Sequence, residues 1–222
     1  MKILSVAATA WLLAAGAATA QEPARTPLVR GDTHFVVGWQ NLHKEQPTQQ
    51  SYSNDWLNGI FYGGAGAGWY WTDNLKTQVD FGAGTEARQY RYEPIILNGQ
   101  TTGSTSSRVD VRQQSVAVSQ QYQFFRNQWF HPHVGAGVDI ARETTREEYD
   151  PVFVFDPVTR ISRQVTPART EGPEHRMIAR PFAEAGFKAY MTRRAFFTGD
   201  SRLMFRNGLE EVLFRIGFGV DF

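Results

Sequence analysis

The sequence contains no cysteine, which excludes disulfide scaffolds, cysteine-type zinc sites and thiol nucleophiles. It has no surplus of either charge: 23 Lys and Arg stand against 22 Asp and Glu, so the basic excess of a nucleic-acid binder is missing. Long hydrophobic runs are scarce. Mean hydropathy is −0.41, and only the first segment approaches the ~20 consecutive apolar residues that a spanning helix needs. A helical membrane protein is thereby excluded. Beyond Gly31 there is no helical stripe either, so what remains must be read at a period of two.

The first segment is an address. Lys2 supplies a positive start, the stretch from Ile3 to Ala15 is apolar, and Ala18-Thr19-Ala20 is a small-residue cleavage site. This predicts a cleaved signal peptide over residues 1–20 and export out of the cytoplasm. Residues 21–31 read as a short polar lead-in. Without Lys2 the basic residues fall from 23 to 22, equal to the 22 acidic ones.

Alternation then dominates. In the last segment Val212, Phe214, Ile216, Phe218, Val220 and Phe222 share one face, while Glu211, Leu213, Arg215, Gly217, Gly219 and Asp221 share the other. The same two-faced pattern recurs seven more times, around Phe35, Phe61, Val79, Val118, Val138, Ala185 and Leu203. A soluble sandwich would bury the apolar face; an outer-membrane barrel would turn it to lipid and fill its lumen with the polar one. Glycines concentrated on the polar face (Gly64, Gly66, Gly68, Gly135, Gly137) suit a crowded lumen. Trp39, Trp69, Trp71, Trp129 and Tyr190 at strand ends suit interfacial girdles. Short turns at Trp71-Thr72-Asp73-Asn74, Arg126-Asn127-Gln128 and Thr192-Arg193-Arg194 alternate with connections from Leu42 to Leu57, Glu93 to Ser107 and Arg142 to His175. The expected fold is all-β: an eight-stranded antiparallel transmembrane up-and-down β-barrel over residues 32–222, with both termini periplasmic.

Three stretches resemble a known family. GAGAGWYWTDNLKTQVDFGAG (64–84) and FFRNQWFHPHVGAGVDI (124–140) resemble hairpins of the OmpA/OmpX-like small outer-membrane barrels. VLFRIGFGVDF (212–222) resembles the C-terminal signal of outer-membrane proteins. The resemblance implies residence in the outer membrane of a Gram-negative-type bacterium. It also implies handling by the barrel-assembly machinery through Phe214, Ile216, Phe218, Val220 and Phe222, and contact with outer-membrane lipid and lipopolysaccharide. It leaves the activity open, since such barrels include adhesins, lipid-modifying enzymes, narrow channels and structural proteins.

The chemistry carried by the residues is mostly electrostatic. Lys76, Asp80, Glu86, Asp139, Arg180, Glu184, Lys188, Asp200, Arg202, Arg206, Arg215 and Asp221 fall on the inward parity, basic and acidic in equal number. A lumen only wide enough for side chains is expected to hold them as an ion-pair plug. A narrow pore for small solutes or ions is the alternative. His131 and His133 share the inward face without a neighbouring carboxylate, so a polar pair is favoured over a metal site; assuming a three-residue turn, they face Gln123 and Gln121. Ser119 falls diagonal to His133 but at the wrong end for an outer-leaflet substrate, and Ser201 has no histidine near it. No cofactor is expected and no catalytic residue is assigned, with a lipid A deacylase or acyltransferase as a further alternative. Ile95-Ile96-Leu97 before Asn98-Gly99, and Val152, Phe153, Val154 and Phe155 before Asp156-Pro157, read as apolar hairpins raised on the outward side. They suggest a structural or surface-interaction role for a monomer, with an extracellular protein or surface ligand as partner.

Overall fold

The computed structural model describes residues 30–43, 56–97, 100–124, 129–156 and 160–222. Strand alternation becomes β1 (Gly31–His43), β2 (Trp56–Tyr70), β3 (Leu75–Gly84), β4 (Ala87–Leu97), β5 (Gln100–Gln123), β6 (Phe130–Tyr149), β7 (Val152–Asp156), β8 (Ile161–Thr166), β9 (Arg169–Tyr190), β10 (Ala195–Phe205) and β11 (Leu209–Asp221). The expected signal peptide, most of the lead-in, the turns at Arg126-Asn127-Gln128 and Asn98-Gly99, and much of the Leu42 to Leu57 connection lie outside the described residues.

Pairing runs β1-β2-β3-β5-β6-β9-β10-β11, and β11 returns to β1, from Asp32 opposite Asp221 to Leu42 opposite Glu211. Eight antiparallel strands therefore close on themselves. Closure supplies a backbone partner along every strand, which a bilayer demands, and it removes the edges of the sheet. β4 continues β3 past the barrel and pairs with the first half of β5, while β7 and β8 form a hairpin of their own.

Burial is inverted relative to a soluble protein. Phe35 is 74% exposed and Phe218 59%, and the two lie directly opposite each other on the outer wall, whereas Arg180, Arg202 and Arg215 are each 1% exposed. Only lipid outside and side chains inside reconcile these values, and this rejects the sandwich alternative. Inward glycines leave room for that filling. A Cβ on Gly82 would overlap the Tyr62 phenol, and one on Gly68 would stand 2.7 Å from Lys76 Cδ.

Two of the short turns share one device. Trp71 N donates to Leu75 O (2.9 Å) and Met191 N to Ala195 O (2.9 Å). In each, the following threonine hydroxyl accepts from the backbone N–H that opens the next strand: Thr72 from Leu75 (3.0 Å) and Thr192 from Ala195 (2.9 Å). Threonine here replaces a backbone turn bond. The opposite end differs from expectation. Much of the Glu93 to Ser107 and Arg142 to His175 connections is paired strand, because β6 runs on to Tyr149 and β9 begins at Arg169.

Candidate functional site

The lumen is stratified, and β1 sets the order, since its inward side chains Asp32, His34, Val36, Gln40 and Leu42 each join a different layer. At the short-turn end, Lys188 Nζ lies 3.0 Å from both Asp32 Oδ2 and the Tyr70 hydroxyl, and also pairs with Asp221. Lys76 Nζ reaches the same Asp32 oxygen at 3.1 Å. Above them, Arg202 Nε donates to Glu184 Oε2 at 2.8 Å and its Nη2 to Asp80. Arg215 Nε donates to Asp200 at 2.8 Å, and His34 Nε2 lies 2.8 Å from Asp80. An apolar layer of Val36, Tyr62, Ala117, Phe182, Met204 and Leu213 follows. Next comes Arg180, bonded to Asp139 (2.8 Å) and Glu211 (2.6 Å), with Gln40 Nε2 donating to Glu211 at 2.8 Å. Leu42, Leu57, Ile60, Ala87, Val109 and Val111 form a second apolar layer at the long-loop end.

The ten interior charges expected at Lys76, Asp80, Asp139, Arg180, Glu184, Lys188, Asp200, Arg202, Arg215 and Asp221 thus lie inside. Glu86 and Arg206 do not. They sit at the long-loop end with exposed side chains, paired to Arg88 and Glu210. Asp32 and Glu211 take part instead, so these three ionic layers set five cations against seven carboxylates rather than matching them evenly. Both belong to the inward parity of terminal strands, where their pattern could have placed them. The apolar layers were equally legible in Val36, Phe182, Met204 and Leu213.

Three further positions are corrected. Tyr190 is no girdle residue: its hydroxyl donates inward to Asp221 and its ring neighbours His131 at 5.0 Å, because it follows Lys188 on the same parity. Trp39, Trp69, Trp71 and Trp129 do face outward, at 58, 47, 65 and 46% exposure. His133 stands opposite Gln123, and Gln121 opposite Gly135, because the strands pair two residues away from the register a three-residue turn would impose. The same register puts Ser119 opposite Gly137, away from His133. Near His34 and His133 the lumen keeps a cavity of about 10 Å³, room for about one water.

The long-loop end carries the other candidate surface. Arg88–Asp110 (3.0 Å), Arg108–Asp110 (3.1 Å) and Arg108–Glu148 (2.7 Å) form a ladder across β4, β5 and β6. At the tip, Arg169 lies over the Tyr149 ring at 4.4 Å, and Tyr149 donates to Glu147 at 2.6 Å. That hydrogen bond, with some burial, pushes the Tyr149 phenol above its ordinary pKa. On β7 and β8, Phe153 (53%), Phe155 (52%) and Ile161 (64%) are exposed, while Val152 and Val154 are half-buried. Ile95, Ile96 and Leu97 end β4 opposite Gly103, Thr101 and Gln100.

Over residues 6–222 the sequence matches the family model described as the outer membrane protein beta-barrel domain. The chain belongs to that family. This outer-membrane barrel is accordingly a protein of the bacterial outer membrane. It is similar in fold to OprG of Pseudomonas aeruginosa, at 14% identity, 89% of this chain and 98% of that one, with a TM-score of 0.51. It is also similar to the Neisserial surface protein A, at 12% identity, 86% and 97% coverage, with a TM-score of 0.50. The N-terminal β-barrel domain of Pseudomonas aeruginosa OprF follows at 12% identity, 86% and 97% coverage and a TM-score of 0.46. No curated protein matches the chain.

Proposed function

We propose that this barrel is a plugged scaffold in the outer membrane that raises a β-sheet for surface interaction. The observation that carries the reading is strand length. A membrane strand needs about 9–11 residues, yet β5 has 24, β6 has 20 and β9 has 22. The excess lifts β4, β5, β6 and β9 roughly 30 Å beyond the bilayer at about 3.3 Å per residue. The long loops then face the cell exterior and the short turns the periplasm, as small barrels of this type are built.

A partner strand could add to β9. On β9 the N–H of Tyr190 points toward β6, bonding Trp129 O at 2.7 Å. By alternation the N–H groups of His175, Met177 and Ala179 point to the other side, where β10 pairs only from Phe182 onward. Pro181 and the bulge at Gly172-Pro173 bracket this free edge. Prolines at a strand edge limit indiscriminate pairing, so the open stretch favours a short extended segment of a chosen partner. Exposed Phe153 and Phe155 supply apolar contact area nearby.

The three ionic layers and two apolar layers support a plug over a pore, because an ion crossing them would shed its water at each apolar layer. Replacing residues 146–171 by a short turn tests the reading. The truncated barrel is expected to keep its heat-modifiable gel migration and lose adhesion of expressing cells to a target surface. Unchanged adhesion would remove the raised sheet from function.

A further inference from the structure

Among the described residues, β7 and β8 pair with each other and with no further strand. A lone two-stranded ribbon is marginal in water, so this one gains stability from being covered. Four of its large apolar side chains are open: Phe153 at 53%, Phe155 at 52%, Ile161 at 64% and Val165 at 54%. Apolar area displayed in this way marks a contact. Register decides which contact fits. Phe153 stands opposite Gln164 and Phe155 opposite Ser162, so the two rings share one face of the ribbon. Ile161 stands opposite Asp156, which turns it to the other face with Val154 and Arg163. Val154 is half-buried there, but Ile161 remains open. A flat protein surface covers one face of a ribbon. A lipid interface surrounds both.

Charge points the same way. Arg160 and Arg163 are exposed and form no ion pair among the described residues, and the two strands hold one carboxylate, Asp156. Aromatic and aliphatic side chains edged by arginine suit a membrane interface, with the rings at the acyl boundary and the guanidiniums on phosphate. Unpaired cations there add attraction to anionic lipid. The protein's own bilayer is out of reach. β7 and β8 have five and six residues, about 20 Å at most. They follow β6, which ends at Tyr149 roughly 30 Å above the membrane.

We propose that the β7–β8 ribbon docks on a facing membrane: Phe153, Phe155 and Ile161 enter its surface, and Arg160 and Arg163 hold anionic phospholipid headgroups. The inference goes beyond strand addition at β9, which uses a different surface, and shares with it only the outward orientation of the long-loop end. The full barrel is placed in phosphatidylcholine nanodiscs and mixed with protein-free vesicles of phosphatidylcholine and phosphatidylserine in equal parts. Flotation reads the bound fraction, with empty nanodiscs as the blank. The barrel should float with these vesicles and about tenfold less with phosphatidylcholine alone. Phe153→Ser with Phe155→Ser should lower the bound fraction at least about tenfold, the loss of two apolar side chains from lipid. Arg160→Gln with Arg163→Gln should lower it about tenfold on the mixed vesicles and leave binding to phosphatidylcholine unchanged. All four positions are exposed, and heat-modifiable migration confirms the fold of each variant. A parent barrel that does not float, or a phenylalanine variant that floats as well as the parent, would overturn the proposal. Loss through the arginines alone would reduce the contact to charge and overturn insertion. If the phenylalanine variant loses cell adhesion while the parent fails to float, the ribbon serves a protein partner and the lipid assignment is rejected. If it loses flotation but keeps adhesion, the ribbon and the β9 edge act separately, as proposed.

Discussion

Arg202→Met should destabilise the folded barrel by about 3 kcal/mol, at the lower end of what removing one partner of a buried ion pair costs. Arg202 is 1% exposed, donates to Glu184 at 2.8 Å and to Asp80, and lies over the Phe182 ring at 4.7 Å. Methionine keeps most of the volume and the ring contact but leaves two carboxylates facing each other. The loss stays near that lower end because each carboxylate keeps another donor: Glu184 retains Gln121 at 2.8 Å, and Asp80 retains His34 at 2.8 Å with Arg215 at 3.5 Å. Adding Asp80→Asn and Glu184→Gln should recover much of the loss, since the triple variant no longer buries the two carboxylates that Arg202 had compensated. Urea titrations of the detergent-folded protein, followed by tryptophan fluorescence, read both changes. A single variant as stable as the parent would mean that Arg202 is solvated rather than locked in the lumen.

Gly82→Val should be comparably damaging, by about 3 kcal/mol, the upper part of the usual range for overpacking. Its Cβ would occupy the place of the Tyr62 phenol, which lies across Gly82 and near Gly64 from the neighbouring strand. Backbone cannot yield there, because Gly82 is paired to Gly64 on one side and Ser115 on the other. The remedy is specific. Tyr62→Ala in the same chain vacates the space, so the double variant should fold to a larger fraction on unboiled gels than Gly82→Val alone. Equal folding yields for the parent and Gly82→Val would place the Tyr62 ring elsewhere.

These two positions also mark what the sequence made legible. The period of two put Arg202 and Gly82 inside, and the crowding of glycines on that parity anticipated a lumen without spare room. Parity cannot say which charges meet, because a barrel's shear brings together residues far apart in the chain: Arg202 and Asp80 are 122 positions apart. For the same reason even pairing of all twelve inward charges was the wrong inference. Glu86 and Arg206 share the parity but rise above the lumen, where water screens them, while Asp32 and Glu211 sit at strand ends that dip into it. Tyr190 misled differently, because a tyrosine at a strand end suits either a girdle or an inward hydroxyl, and only the adjacent Lys188 parity decides between them. The histidine register needed the length of the intervening turn, and two residues of error move every partner. The raised sheet was foreshadowed by Ile95 and by Val152 to Phe155, but its extent was hidden because charged, exposed strands such as 169–176 lack an apolar face to alternate.

The central claim is that the lumen is closed and that function lies on the surfaces the barrel displays. Recording from the refolded, unmodified protein in planar lipid bilayers tests it most directly. Insertion should leave the current at baseline, with no discrete steps across the voltage range, because three ionic and two apolar layers fill the lumen and the cavity near His34 and His133 holds about one water. Regular, reproducible conductance steps from the unmodified barrel would contradict the plug and return the protein to the pore-forming members of its class.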